Sequence, residues 1–287
     1  MPGAGCPTVL LMRTELAQVA GYMARTPLIA SEIRATHHFT FEPKSQLALE
    51  SAELGDNAAA FVTDGFTAAV ARIVAAEDHL SAIAHLVQDE HRVFPQYTVA
   101  RGCSEIAAMA WWFLDPDISG MRRAHRGFED RKASLLAQRG LRIPDAAQHA
   151  QRRLHELDKS GNQAKLGKVG SADRWPSPTA VLRDVWGSAS DPLFGEVVYG
   201  LLSAFGHGTL YALTSMAGAE VEGTREGRVS LRGLETNPKQ QAFMMLLASV
   251  PYASATTRLL ETAGWAGEDL TAHLAYMNRD LLNLKDA

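Results

Sequence analysis

Apolar residues recur at the three- and four-residue spacing of an α-helix along almost the whole of this 287-residue chain. That periodicity leads to a helical bundle, with helices packed side by side. Prolines and glycines punctuate it. "TVLLMRTELAQVAGYMAR" is expected to form a first helix closed by Pro27, and a polar stretch with His37 and His38 then leads to Pro43. A long helical pattern follows to about Arg92, with interruptions expected near Gly55 and Gly65. Pro95 opens "QYTVARGCSEIAAMAWWFL", which should end at "DPD", because Pro116 disfavours the helical conformation in its predecessor. Asp117 would cap the next helix, with Gly140 as its stop, and Pro144 would begin an exposed one, "PDAAQHAQRRLHELDKSG". Residues 161–178 read as a long loop, Ser177 and Pro178 as the start of a short helix, and Asp191 and Pro192 as the start of another. Val221, Val229 and Leu231 around a glycine-rich turn suggest a small β-hairpin near 219–233. Two helices finish the chain, the first kinked or broken at Pro251. The fold expected is all-α, one mainly helical domain over residues 1–287, with a surface helical hairpin and loop at about 141–178.

The bulk charge narrows the partners. A net charge of −4 supplies no global basic field for nucleic acid or anionic membrane. Cys6 and Cys103 lie far apart with no metal-like spacing, which fits a reducing compartment. "MPGAGCPTVLLMRTELAQ" lacks a basic leader region, and its apolar run is broken by Arg13 and Glu15. No segment approaches about 18 uncharged apolar residues, so no membrane span is expected and the expected location is cytoplasmic.

Within the most apolar stretch, "YGLLSAFGHGTLYAL", Tyr199, Ser203, His207 and Tyr211 recur at every fourth position. Four such rungs drift by about 40° each and stay within roughly a third of the helix circumference. Gly206 and Gly208 flank the imidazole, and each glycine costs about 1 kcal/mol in a helix interior, a cost usually offset by close approach of a backbone or ligand. One reading makes His207 a general acid/base held by Ser203 or a partner carboxylate. The other makes it a core histidine bonded to a backbone carbonyl. A second constellation lies in "RGCSEIAAMAWWFLDPD". Arg101 and Glu105 are one turn apart on an otherwise apolar helix that carries Trp111 and Trp112, and if they face inward they must be paired. The third is the arginine run Arg122, Arg123, Arg126 and Arg131, with Glu129 and Asp130 interleaved. Arg122, Arg126 and Asp130 share one face; guanidinium forks there could hold an anion, while a salt-bridged solvated face is the commoner use of such a pattern.

Metal chemistry finds no support in the spacing. No Glu-x-x-His occurs, which removes a di-iron carboxylate bundle, and Asp115-Pro-Asp117 departs from the aspartate-rich magnesium motif of class I terpene cyclases. His79, His85 and His91 advance by about 240° per step and share no face.

Taken together, "ARGCSEIAAMAWWFLDPD", "RRAHRGFEDR", "PSPTAVLRDV" and "YGLLSAFGHGTLYAL" resemble a group of helical proteins common in actinobacteria. More distantly, a helical Arg-x-x-x-Glu followed by a late Ser-x-x-x-His is similar to proteins near the HEPN and abortive-infection groups. The ribonuclease signature of those groups, Arg, four to six residues, then His, occurs only as Arg72 to His79 and Arg142 to His149, and not at His207. The resemblance implies one site made of Arg101, Glu105, Ser203 and His207 and names no reaction.

The reading that results is a buried polar site. His207 is its proton carrier, oriented by Glu105 or Asp115 and bonded by Ser203. Arg101 and Arg126 are anion anchors, and Trp112, Tyr199 and Tyr211 are walls around a small, largely apolar or anionic molecule. No motif names a cofactor or metal. Two alternatives stand beside it: an RNA-directed or defence-type protein contacting phosphates through Arg122–Arg131, and a non-catalytic homo-oligomer pairing through its long helices.

Overall fold

The computed structural model describes residues 7–89, 94–141, 143, 145–166, 173–187, 192–207, 209, 220–223, 229–232 and 237–286. The chain is all-α. Its helices are α1 (Pro7–Thr36), α2 (Gln46–Glu53), α3 (Asp56–Leu86), α4 (Pro95–Phe113), α5 (Gly120–Gly140), α6 (Ala146–Gln163), α7 (Pro178–Gly187), α8 (Pro192–Gly206), α9 (Pro238–Ala263) and α10 (Glu268–Asp286). Between α8 and α9 lies the expected hairpin, β1 (Glu220–Gly223) antiparallel to β2 (Val229–Arg232), with Val221 opposite Leu231.

Helices α3 and α4 form an antiparallel central pair. Gly65 on α3 sits against the Phe113 ring, while further along Cys103 Sγ donates to the Ala76 carbonyl at 3.5 Å. Around this pair α5 packs on α3, α9 on both helices, α7 and α8 on α4, and α1 on α3, with α10 closing over α1 and α9. Contrary to the interruption expected near it, Gly65 lies inside an unbroken α3. It makes room, because a Cβ there would stand 2.0 Å from a Phe113 ring carbon. Gly127 brings α5 closer still, since its Cβ would stand 2.0 Å from the Phe61 carbonyl oxygen. Of the described helices, α3 alone is long and apolar enough to cross a membrane by length and composition. In this fold it is the central helix, with Glu77 buried on it.

Capping explains several boundaries. Ser45 accepts from the Ala48 amide at 3.2 Å to start α2, and Ser177 accepts from Ala180 at 3.3 Å to start α7. For α5 the cap is Ser119, which accepts from the Arg122 amide at 3.4 Å, and not Asp117. Gly264 closes α9 in the left-handed region at φ 71°.

Pro27 behaves otherwise than expected, and at Pro251 the break does not occur. Neither Pro27 nor Pro251 ends its helix: α1 continues to Thr36 and α9 to Ala263. A proline removes one amide donor and leaves the carbonyl four residues earlier without its helical partner. For Pro251 that carbonyl is Leu247, and the Ser104 hydroxyl of α4 donates to it at 2.8 Å. At Pro27 the carbonyl so freed is that of Met23; the Tyr22 carbonyl, one residue earlier, accepts from the Thr26 hydroxyl at 3.0 Å and from His273 Nε2 of α10 at 3.0 Å, which ties α1 to α10 but does not fill the proline gap. At Pro251 the neighbouring helix α4 thus supplies the bond that keeps the interrupted ladder satisfied.

Candidate functional site

The sequence-predicted residues fall into two clusters on α4, about 16 Å apart at 1.5 Å of rise per residue. In the first, Arg101 Nε donates to Glu105 Oε1 at 2.7 Å, and its terminal nitrogen reaches the Tyr199 hydroxyl at 3.4 Å. The guanidinium also lies 5.5 Å from the Tyr199 ring centroid. The Glu105 bond raises the Arg101 guanidinium above its ordinary value, so it stays cationic. Here α4 and α8 run antiparallel, because Tyr97, one turn before Arg101, stacks on Phe205, beyond Tyr199, with centroids 3.7 Å apart.

The polar ladder does not face a buried interior. Tyr199 and Ser203 are half-buried, His207 is exposed, and Tyr211 lies outside the described residues. Helix α8 ends at Gly206, so His207 stands beyond its last turn and not in a mid-helix glycine notch. Along α8, His207 is about 12 Å past Tyr199, which puts it out of reach of Glu105 at the other end of the cluster. Asp115 does not orient it either, for that carboxylate belongs to the second cluster.

That cluster surrounds the C-terminal end of α4, where the helix leaves carbonyls without intrahelical partners. Arg258 of α9 donates to the Trp111 carbonyl at 3.1 Å. Arg126 of α5 donates to the Trp112 carbonyl, and Arg123 to those of Phe113 and Asp115 at 2.7 and 2.9 Å. Each guanidinium also lies over the ring of the same aromatic residue, at 3.7 Å for Arg258 and Trp111, 4.8 Å for Arg126 and Trp112, and 5.9 Å for Arg123 and Phe113. Cations at the negative end of the helix dipole reinforce the arrangement. Carboxylates balance it: Glu50 accepts from Arg123 at 2.6 Å, Asp115 pairs with Arg126 at 3.4 Å and Arg258 at 3.6 Å, and Asp173 with Arg122 at 3.0 Å and Arg126 at 3.3 Å. Burial lowers Arg126 and Arg258 below the usual guanidinium value, against the pull of Asp115 on both. The arginine run is therefore only partly a solvated face: Arg123 is 0% and Arg126 5% exposed, while the salt-bridged side chains of Arg122 and Arg131 keep 43% and 46% of their exposure.

Beside this cage, α3, α5 and α6 enclose a groove of about 430 Å³ lined by Asp64, Thr67, Arg72, Asp130, Arg131, Ser134, Gln138 and Arg153, over Ala68, Ala71 and Leu135. Two ion pairs of opposite polarity cross between α3 and α5. Arg72 grips Asp130 with both terminal nitrogens at 2.9 and 2.5 Å, and Arg131 pairs with Asp64 at 2.5 Å. Arg153, from α6, is exposed, and among the described residues no carboxylate pairs with it. The sequence reading passed over Asp64 and Arg153 and treated Arg72 only as half of an Arg–His spacing. The one available signal was Asp130, on the Arg122 and Arg126 face, whose partner is Arg72 of α3.

A further charged group is sealed in the core. Arg34 of α1 donates to both Glu77 oxygens, at 2.5 and 2.7 Å, and the Tyr252 hydroxyl of α9 donates to Oε1 at 3.0 Å. Burial lifts the Glu77 carboxyl above its ordinary value, against the pull of Arg34. Among the described residues no group of three or more histidine, cysteine or acidic side chains is placed to hold a metal. Compared with family models, curated proteins and solved structures, the chain matches none of them.

Proposed function

We propose that the chain is a small-molecule-binding helical protein whose site is the α3–α5–α6 groove, and that its ligand is compact, anionic and hydroxyl-bearing. The observation that carries this is the lining: arginines for an anion, aspartates to accept from hydroxyls, and Thr67, Ser134 and Gln138 as neutral partners above an apolar floor. A concave site with a few convergent polar groups is the usual form of a small-molecule pocket. The paired Arg72–Asp130 and Arg131–Asp64 bridges hold the walls in place before any ligand arrives, which lowers the ordering cost of binding. Calorimetric titration with glucose 6-phosphate, glucose and inorganic phosphate tests the reading. Saturable binding of the sugar phosphate, weakened at least about tenfold (about 1.4 kcal/mol) in Arg153→Ala, is expected. No saturable heat from any of the three, or an unchanged affinity in Arg153→Ala, sinks it.

A second reading places an acid/base site on the α4–α8 face, with Arg101 as anion anchor, Glu105 and Ser203 beside it and His207 as proton carrier at its outer end. It is favoured by one contact, the reach of Arg101 to both Glu105 and Tyr199. Native mass spectrometry of the purified protein separates the two readings. A non-covalent mass lost in Arg101→Ala supports the second, and one lost only in Arg153→Ala supports the first. An RNA-directed role would draw on Arg122, Arg123, Arg126 and Arg131, each of which already holds a carboxylate.

A further inference from the structure

Asp173 and Trp175 lie in the short stretch ahead of α7, yet their partners come from three other helices. The Asp173 carboxylate, 7% exposed, accepts from Arg122 Nε at 3.2 and 3.1 Å, from an Arg122 terminal nitrogen at 3.0 Å and from Arg126 Nε at 3.3 Å. Two residues on, the Trp175 ring meets the Trp112 ring edge-on, with centroids 6.0 Å apart, and the Arg72 guanidinium lies 5.3 Å from its centre. An acid in a fork of guanidiniums and a ring set against an aromatic edge and a cation are the contacts that a bound aromatic anion would make.

Most of the cradle is held without its occupant; only the Arg122 guanidinium depends on Asp173 for its side-chain hydrogen bonds. Arg126 is held by the Trp112 carbonyl, the Trp112 ring and Asp115, none of which involves Asp173. Arg72 is held by its two-point bond to Asp130. Arg122 lies in the first turn of α5, where the helix dipole favours an anion, and its amide is fixed by the Ser119 cap. We propose that Arg122, Arg126, Trp112 and Arg72 form a binding site for an external molecule carrying one anionic group and one planar ring, and that Asp173 and Trp175 are the chain's own occupant of that site. The proposal goes beyond the groove reading, shares only Arg72 with it and does not rest on it.

A tethered occupant competes at an effective concentration in the millimolar range, so weak external ligands are excluded until it is removed. The test is calorimetric titration with phenyl phosphate, and with inorganic phosphate alone, of the wild type and of the Asp173→Ala/Trp175→Ala double variant. At least a tenfold gain in phenyl phosphate affinity is expected in the double variant, with inorganic phosphate weaker and the gain abolished by adding Arg122→Ala. A double variant of wild-type helicity that binds phenyl phosphate no better than the wild type overturns the proposal, as does binding that survives Arg122→Ala. Equal affinity for the two probes overturns its aromatic half. Should the double variant fail to fold, Asp173→Asn, which keeps the shape and removes the charge, is read against the same criterion with both probes. Arg153→Ala leaves all these outcomes unchanged, so failure here and failure of the groove reading are told apart.

Discussion

Arg258 lies 3.7 Å from the centre of the Trp111 ring and donates to that same residue's carbonyl oxygen. The side chain therefore reads both the ring and the backbone of one residue, while a second contact at 3.6 Å ties it to Asp115. A planar fork can do this and an ammonium cannot. Arg258→Ala should cost about 2–4 kcal/mol, because the Asp115 carboxylate and a helix-end carbonyl both lose a partner. Arg258→Lys should recover less than half of that loss, and urea unfolding of both variants checks the order. Equal stability of the Lys variant and the wild type would show that charge alone matters there.

Ser104 and Pro251 should behave as a coupled pair. Removing the hydroxyl strands the Leu247 carbonyl in a site where Ser104 itself is 0% exposed, at a cost of about 1–3 kcal/mol. In a Pro251→Ala background the restored amide can take that carbonyl, so Ser104→Ala should cost about 1 kcal/mol less there. A double-mutant cycle by thermal unfolding decides it; simple additivity would mean that the hydroxyl does not serve the proline gap.

His273 should give the fold a pH dependence on the acid side. Burial lowers its imidazole below the ordinary value, and Arg25 pushes the same way, against the bond to the Tyr22 carbonyl. Because that carbonyl can only accept, Nε2 carries the proton in the neutral ring. The unfolded chain takes up a proton at about pH 6.5 and the folded one only at lower pH, so this contribution is complete above about pH 6.5 and is lost as the pH falls through the folded value. His273→Gln keeps a donor for Tyr22 and cannot titrate. Its stability should fall less than that of the wild type between about pH 7.5 and 5.5 in denaturant titrations.

Gly127→Ala should be among the most damaging single changes in the chain. Its Cβ would meet the Phe61 carbonyl oxygen at 2.0 Å, and backbone stands on both sides of the contact. A loss of about 3 kcal/mol is expected as α3 and α5 are forced apart. Gly21→Ala on α1 is the control: nothing stands within 4 Å of its Cβ, and a gain of about 0.5–1 kcal/mol is expected from helix propensity. Thermal unfolding of the two variants should therefore move in opposite directions.

Much of this architecture could be read from the residues alone. Pro95, Pro178, Pro192 and Pro238 stand at helix starts, the strand pattern of Val221, Val229 and Leu231 forms its hairpin, and Arg122 and Arg126 do share a partner, Asp173. At Pro251 the helix runs on because the bond that fills its gap comes from Ser104, a residue distant in the chain, and nothing beside Pro27 in the sequence marks that α1 continues to Thr36. The burial of Arg123 and Arg126 was not legible because both bond main-chain carbonyls, which leave no trace in residue identity. Nor does periodicity say which part of an amphipathic stripe meets a neighbour, so Tyr199 reached Arg101 while His207 remained exposed beyond the end of α8.

The Glu77 carboxylate has a consequence for how the chain comes together. One partner, Arg34, lies 43 residues upstream, and the other, Tyr252, lies 175 residues downstream. During synthesis α1 and α3 can close on each other early, over a short loop, and neutralise the charge. The hydroxyl that completes the carboxylate's bonding arrives only with α9, 175 residues after Glu77, and the loop it closes is among the longest in the fold. Until α9 docks, the central helix α3 carries an acid with part of its bonding unmet, so the nascent bundle stays open to water along the seam that α9 will fill.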